Sequence, residues 1–319
     1  MYIFLKRLSF LSAVVCCMSC CASVKHQAQT TTDTIQAQIL KDVQTLSSTT
    51  FEGRKTGTAG AEKTRTFITN RFKDLGIVSY SEYPSYIQSF TFKNEHEASR
   101  VGKNVVGYIP GKLREAIVIS AHYDHLGMKN GNMYPGADDN ASGVAALMHI
   151  ADYFSKNKPN FTLIFVAFDA EEMGLKGAEA FVADPPLLLD QMKLNINMDM
   201  LAHNDQGELY ACGTYYYPQF KKYIQSDNPD LIIKLGHDNP NLKRDDWTNQ
   251  SDQAAFHAKG IPFIYFGVED HKDYHKPSDT FENINAKFYV DAVGEILNII
   301  KRIDNQFSSQ IQMNKNKVM

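Results

Sequence analysis

Ala116-Ile117-Val118-Ile119-Ser120-Ala121-His122-Tyr123-Asp124-His125 holds the key to the fold: an apolar, β-branched run that stops at a histidine and an acid. A short apolar run bounded by polar residues reads as a buried strand. The pattern recurs. Leu163-Ile164-Phe165-Val166-Ala167-Phe168 leads to Glu171 and Glu172, Leu194-Asn195-Ile196-Asn197-Met198 to Asp199, and Pro262-Phe263-Ile264-Tyr265-Phe266 to the loop carrying His275. In open α/β sheets ligands bind at the carboxyl ends of the strands. These residues, with Asp139 in an intervening loop, can therefore converge although they spread over roughly 150 positions.

The residue types say what such a convergence is suited to. Two zinc ions about 3.5–4 Å apart need a bridging carboxylate, and each needs an imidazole and a further carboxylate, with a position left open for water. Two histidines and three carboxylates meet that requirement. A sixth group, a carboxylate that is not a ligand, is then needed to take a proton from the activated water. The adjacent pair Glu171-Glu172 offers one of each role, although two acids also suit the start of a helix. Asp138 and Asp139 are both suited to capping the helix that begins near Ala141, so on chemistry alone either acid fits the bridge.

The same residues stand in ordered words: His122-Tyr123-Asp124-His125, Gly136-Ala137-Asp138-Asp139-Asn140-Ala141-Ser142-Gly143, Asp169-Ala170-Glu171-Glu172-Met173-Gly174, Asn197-Met198-Asp199, and Asp273-Tyr274-His275-Lys276-Pro277-Ser278-Asp279-Thr280. This series closely resembles the co-catalytic zinc peptidase family of bacterial leucyl aminopeptidase and aminopeptidase Y. The resemblance begins near Leu46-Ser47, passes through Phe51-Glu52-Gly53-Arg54 and Asn104-Val105-Val106-Gly107, and reaches the last helix. It implies one metal held by His122 and Asp199, a second held by Glu172 and His275, and Asp139 between them.

The resemblance further implies Glu171 as general base, Tyr274 as donor to the oxyanion, and a cis peptide between Asp139 and Asn140. Asp124 is expected behind His122, fixing the ring through its other nitrogen. His125 stands where the family often has Ser, and Gln253 where it often has His. Neither is expected to touch the metal set, so both bear on substrate fit. The implied activity is that of an exported dizinc exopeptidase acting on peptides with a free N-terminus. The alternatives are a glutaminyl cyclase of the same fold, which works with one zinc and typically has Trp where Tyr274 stands, a related zinc carboxypeptidase or dipeptidase, and a binding ectodomain with a dead site.

The remaining histidines have ordinary expectations. His125 and His271 read as surface residues, His149 as a packed residue on an apolar helix face, and His203 as a loop residue near the site rim. His26, His96, His237 and His257 carry no motif.

A chain of 319 residues with 43% hydrophobic content can bury one large core. Its net charge of -3 and pI near 6.4 argue against nucleic acid as a partner. The first 20 residues read as a signal peptide: basic Lys6-Arg7, the apolar run Leu8 to Met18, then small residues. Four of the five cysteines, Cys16, Cys17, Cys20 and Cys21, crowd its end, which suggests a lipoprotein leader with Cys20 the favoured lipidated residue, and a plain cleaved signal as the alternative. Periplasm or outer membrane is then the expected location, with a lipid anchor as the sole tie to the membrane. Residues 21–34 read as a tether, 35–306 as a single domain and 307–319 as a polar tail. Within the domain, helices are predicted at Ile35–Leu46, Ala61–Leu75, Val144–Phe154, Gly174–Val182, Gln219–Gln225 and Ala286–Ile303. The alternation of strands and helices predicts a mostly parallel mixed sheet flanked by helices on both faces.

Overall fold

A computed structural model of the chain describes residues 36–93 and 98–318. The predicted signal peptide, the lipidation site at Cys20, the tether and His96 all lie outside the described residues. The chain divides into Met1–Lys41, of which residues 36–41 are helical, and Asp42–Met319. In the larger unit residues 42–46 are helical (α1), followed by α2 (Ala59–Asp74). Thr58 caps α2, its hydroxyl accepting from the backbone N–H of Ala61.

Ten strands follow: β1 (Ile87–Phe92), β2 (Arg100–Ile109), β3 (Ala116–His122), β4 (Gly127–Lys129), β5 (Asn132–Tyr134), β6 (Thr162–Phe168), β7 (Met192–Met198), β8 (Glu208–Cys212), β9 (Ile232–Leu235) and β10 (Phe263–Gly267). Eight of them form one sheet in the order β1-β2-β6-β3-β7-β10-β8-β9. Its four central strands, β6, β3, β7 and β10, are parallel, and the strands beside them, β2 and β8, run antiparallel to their inner neighbours. The predicted mixed, mostly parallel sheet is therefore present. β4 and β5 make a separate hairpin turning at Asn130-Gly131, both with positive φ.

The remaining helices are α3 (Gly143–Lys156), α4 (Lys176–Ala183), α5 (Gln253–Ala258) and α6 (Ala286–Val318). The central strands are continuous apolar runs because helices cover both faces. Val118, Ile164, Val166 and Phe168 pack with Phe181 of α4 and Phe256 of α5. Phe165, whose side chain alternates to the other face, meets Phe72 of α2 edge-on at 6.4 Å between centroids. Polar side chains bridge β3 and β7 within this core: Ser120 Oγ donates to Asn197 Oδ1 and accepts from Asn195 Nδ2, while Asn197 Nδ2 reaches Ser251 and Gln253.

Two predicted elements differ. Gln219–Gln225 was expected as a helix, but only a 3-10 segment forms, at Pro218–Tyr223. The predicted tail from 307 is instead the continuation of α6 to Val318. Phe307 packs against Phe161 and Phe220, and the Asp304 carboxylate accepts the backbone N–H groups of Asn160 and Phe161. Phe307 thus continues the packed face of α6 into the stretch whose polar composition suggested a tail.

Candidate active site

His122 closes β3, Asp199 follows β7 by one residue, and the Glu pair follows β6 by three. The sheet thereby presents its donors along one edge. Asp139 comes from the loop before α3, after Gly136 with φ +56, where an added Cβ would lie 2.1 Å from the Asp139 carbonyl oxygen. The Asp139–Asn140 peptide is cis.

The Asp139 carboxylate divides its two oxygens between two groups of donors. Oδ1 lies 3.4 Å from His122 Nε2, which is 3.2 Å from Asp199 Oδ1. Oδ2 lies 3.1 Å from His275 Nε2, which is 3.5 Å from Glu172 Oε2. With metal–ligand bonds of about 2.0–2.1 Å, neighbouring donors in a tetrahedral shell stand about 3.3 Å apart. These spacings, and the choice of imidazole and carboxylate donors, fit a metal on each side of Asp139. All five residues that the family resemblance implied as ligands are brought together here, and Asp138 is not among them.

The groups behind the donors are arranged differently from expectation. Asp124 does lie behind His122, but its backbone carbonyl does the orienting, 3.1 Å from His122 Nδ1, while its carboxylate stands 3.8 Å away. A carbonyl only accepts, so Nδ1 carries a proton and Nε2 is the nitrogen that faces Asp139 and Asp199. The Asp124 carboxylate instead accepts from the backbone N–H of Glu171 at 3.0 Å and of Glu172 at 3.4 Å, fixing the turn that carries both acids.

Electrostatics separate the two glutamates. Burial tends to raise the Glu172 carboxyl, yet the facing His125 and His275 rings hold it well below the usual range. Burial pushes Glu171 well above that range against the pull of His122, and Asp199, Asp252 and Asp124 add to the rise. Glu171 therefore accepts a proton readily while Glu172 stays an anion, as a base and a ligand should. Burial disfavours the cationic form of His275, but Asp139 and Glu172 raise it to about 10. Cation binding here therefore displaces protons. Tyr274 stacks on His275 at 3.9 Å, and burial, then Asp139 and Asp199, raise its phenol so that it remains a donor.

The expectation for His125 is overturned. It is buried, not superficial, and its Nδ1 lies 2.7 Å from Glu172 Oε1 and 3.5 Å from Asp139 Oδ2. The residue reaches the donor set from the short segment between β3 and β4. The His271 side chain is only 7% exposed, 3.1 Å from Asp138 Oδ2 and stacked at 3.8 Å on His203. His203 in turn reaches Asp273, tying down the loop before Tyr274. Gln253 is fully buried, donating to the Trp247 carbonyl, so it supports the wall of the site without lining it.

Arg54 carries no chemical signal of its own in the sequence motifs. Its guanidinium, wholly buried, donates to the carbonyls of Tyr123, Leu46, Pro135, Gly136 and Asp139, at 2.6 to 3.4 Å. Burial lowers it to about 10, with Asp139 the foremost of the acids opposing that fall. Asp279 accepts the backbone N–H groups of Asp138 and Asp139, joining the last loop to the bridge. A cavity of about 210 Å³ opens over the donors, walled by Arg244, Trp247, Tyr265, Val268, Glu269 and Asp270.

The model of peptidase family M28 matches residues 104–299. The chain belongs to peptidase family M28. The matched segment holds every donor named above and leaves out α2, Arg54 and the end of α6. A relative in sequence is aminopeptidase YwaD of Bacillus subtilis, 26% identical over 209 residues, which are 62% of this chain and 44% of that protein. The chain thus spans less than half the length of this relative. In fold it is similar to BSAP, a zinc aminopeptidase from Bacillus subtilis, with a TM-score of 0.67 and 15% identity over 83% of this chain and 94% of that one. It is equally similar to Porphyromonas gingivalis glutaminyl cyclase, with a TM-score of 0.67 and 16% identity over 83% and 97%.

Proposed function

We propose that this chain is an exported dizinc metallopeptidase that removes N-terminal residues from peptides. The observation that carries the proposal is the division of Asp139 between two donor groups, His122 with Asp199 on one oxygen and His275 with Glu172 on the other. When bound, a pair of zinc ions supplies Lewis acidity, polarising the scissile carbonyl and making water acidic enough to deprotonate near neutral pH.

The side chains supply the rest. Glu171, raised by burial and lining the cleft, takes the proton of the attacking water and delivers it to the leaving amine. Tyr274, kept protonated, donates to the oxyanion. Glu269 and Asp270 at the cavity wall offer negative charge to a free substrate ammonium, consistent with exopeptidase action. The acidic wall and Tyr274 favour this reading over the cyclase, whose fold is shared.

Aminoacyl and N-blocked peptides, together with a peptide starting in glutamine, test the proposal when assayed with and without a chelator. Cleavage of the free peptides alone, lost with chelator and restored by zinc, is expected. Cyclisation of the glutamine peptide without cleavage of the others would establish the cyclase instead.

Export and anchoring rest on the leader, with Cys20 the proposed lipidated residue. No helix among the described residues is long and apolar enough to cross a membrane. Bacterial lipoproteins carry several acyl chains and so bind membranes far more firmly than singly acylated proteins. Cys20→Ser is accordingly expected to move the protein from the membrane to the soluble fraction on fractionation, and unchanged partitioning would refute Cys20 as the anchor.

A further inference from the structure

We propose that His125 is a third imidazole of the metal centre, joining Asp139, Glu172 and His275 so that the two metal positions differ in the number of protein donors they have. The inference rests on the two-metal reading above and deepens it. Four groups face the position beside Glu172, whereas His122, Asp139 and Asp199 face the other.

Three observations carry it. The His125 side chain has no exposure, yet neither ring nitrogen has a hydrogen-bond partner. A buried imidazole whose nitrogens make no aligned hydrogen bond is costly to keep. Its Nδ1 points into the donor group: 2.7 Å from Glu172 Oε1 and 3.5 Å from Asp139 Oδ2. Glu172 Oε1 is itself buried and without a hydrogen bond, so the close approach is out of line for one. Two unsatisfied lone pairs converging beside a shared carboxylate are relieved together by a common cation. Lastly, His125 Nδ1 and His275 Nε2 address opposite oxygens of Glu172, Oε1 and Oε2, so the two rings flank that carboxylate without competing for one oxygen.

The consequence is unequal retention. The ion on the His125 side has more donors to lose before it departs, and the ion on the His122 side keeps the open coordination that substrate needs.

The test uses the full chain loaded with cobalt(II), whose unpaired electrons displace the proton resonances of directly coordinated imidazoles. Three strongly shifted ring N–H signals are expected in the wild type, from His122, His125 and His275, and two in His125→Ser. Serine is frequent at this position in the family, so the variant suits the fold. Competition with a chelator should remove the wild-type ions in two separated steps and bring those steps together in the variant, the tighter one weakening by about 10- to 100-fold. Two shifted signals in both proteins, with unchanged metal retention, would overturn the role of His125 and leave the two-metal reading standing. The absence of any shifted imidazole signal would overturn both.

Discussion

Adjacent acids with opposite electrostatic surroundings are the sharpest prediction at the scale of single residues. Glu171→Gln should retain both metals and near wild-type stability while turnover falls by several orders of magnitude, because the proton acceptor and the water-orienting oxygen disappear together. Glu172→Gln should instead lower metal occupancy. Metal analysis beside steady-state kinetics separates them, and reversed outcomes would exchange the roles. The convergence of these residues was legible in the sequence because each candidate ligand sits in a contiguous word, three of them just past a central strand. His125 was not, since a histidine three places beyond His122 has no intrinsic mark of burial, and only the path of the segment between β3 and β4 buries it. His271 escaped for a similar reason: its partner, Asp138, is more than a hundred residues away.

Among the elements, Arg54 joins the end of α1, the turn after β3, the segment after β5 and the bridge loop, by donating to carbonyls of all four. A lysine has a single donor head and cannot span them. Arg54→Lys should therefore cost about 3–5 kcal/mol, since it leaves buried carbonyls without donors, and metal affinity should fall with it. Urea unfolding with and without zinc measures both, and a loss within about 0.5 kcal/mol would deny Arg54 this role. The four central strands were readable from their apolar runs, and α2, α3 and α4 from their apolar faces. The length of α6 was not, because Phe307 is a single aromatic in a polar stretch and its partners, Phe161 and Phe220, come from elsewhere in the chain. The short 3-10 turn at Pro218 likewise has no periodicity to distinguish it from a helix.

For the whole molecule, the parallel strands of the sheet gather candidate donors beyond four strand ends, and a loop held by hydrogen bonds from Arg54 and to Asp279 sets Asp139 between them. The architecture was foreseeable because strands and helices alternate with one ligand word after each central strand. The clamping was not, because its hydrogen bonds end on backbone carbonyls and amides that carry no sequence signature. Everything in the functional account depends on Asp139 serving two metals at once. Anomalous diffraction at the zinc edge from crystals of the zinc-loaded protein measures this directly. Two peaks about 3.5–4 Å apart are expected, with one Asp139 oxygen toward each. A single peak in active protein, or two peaks with Asp139 turned away from either, would contradict the account.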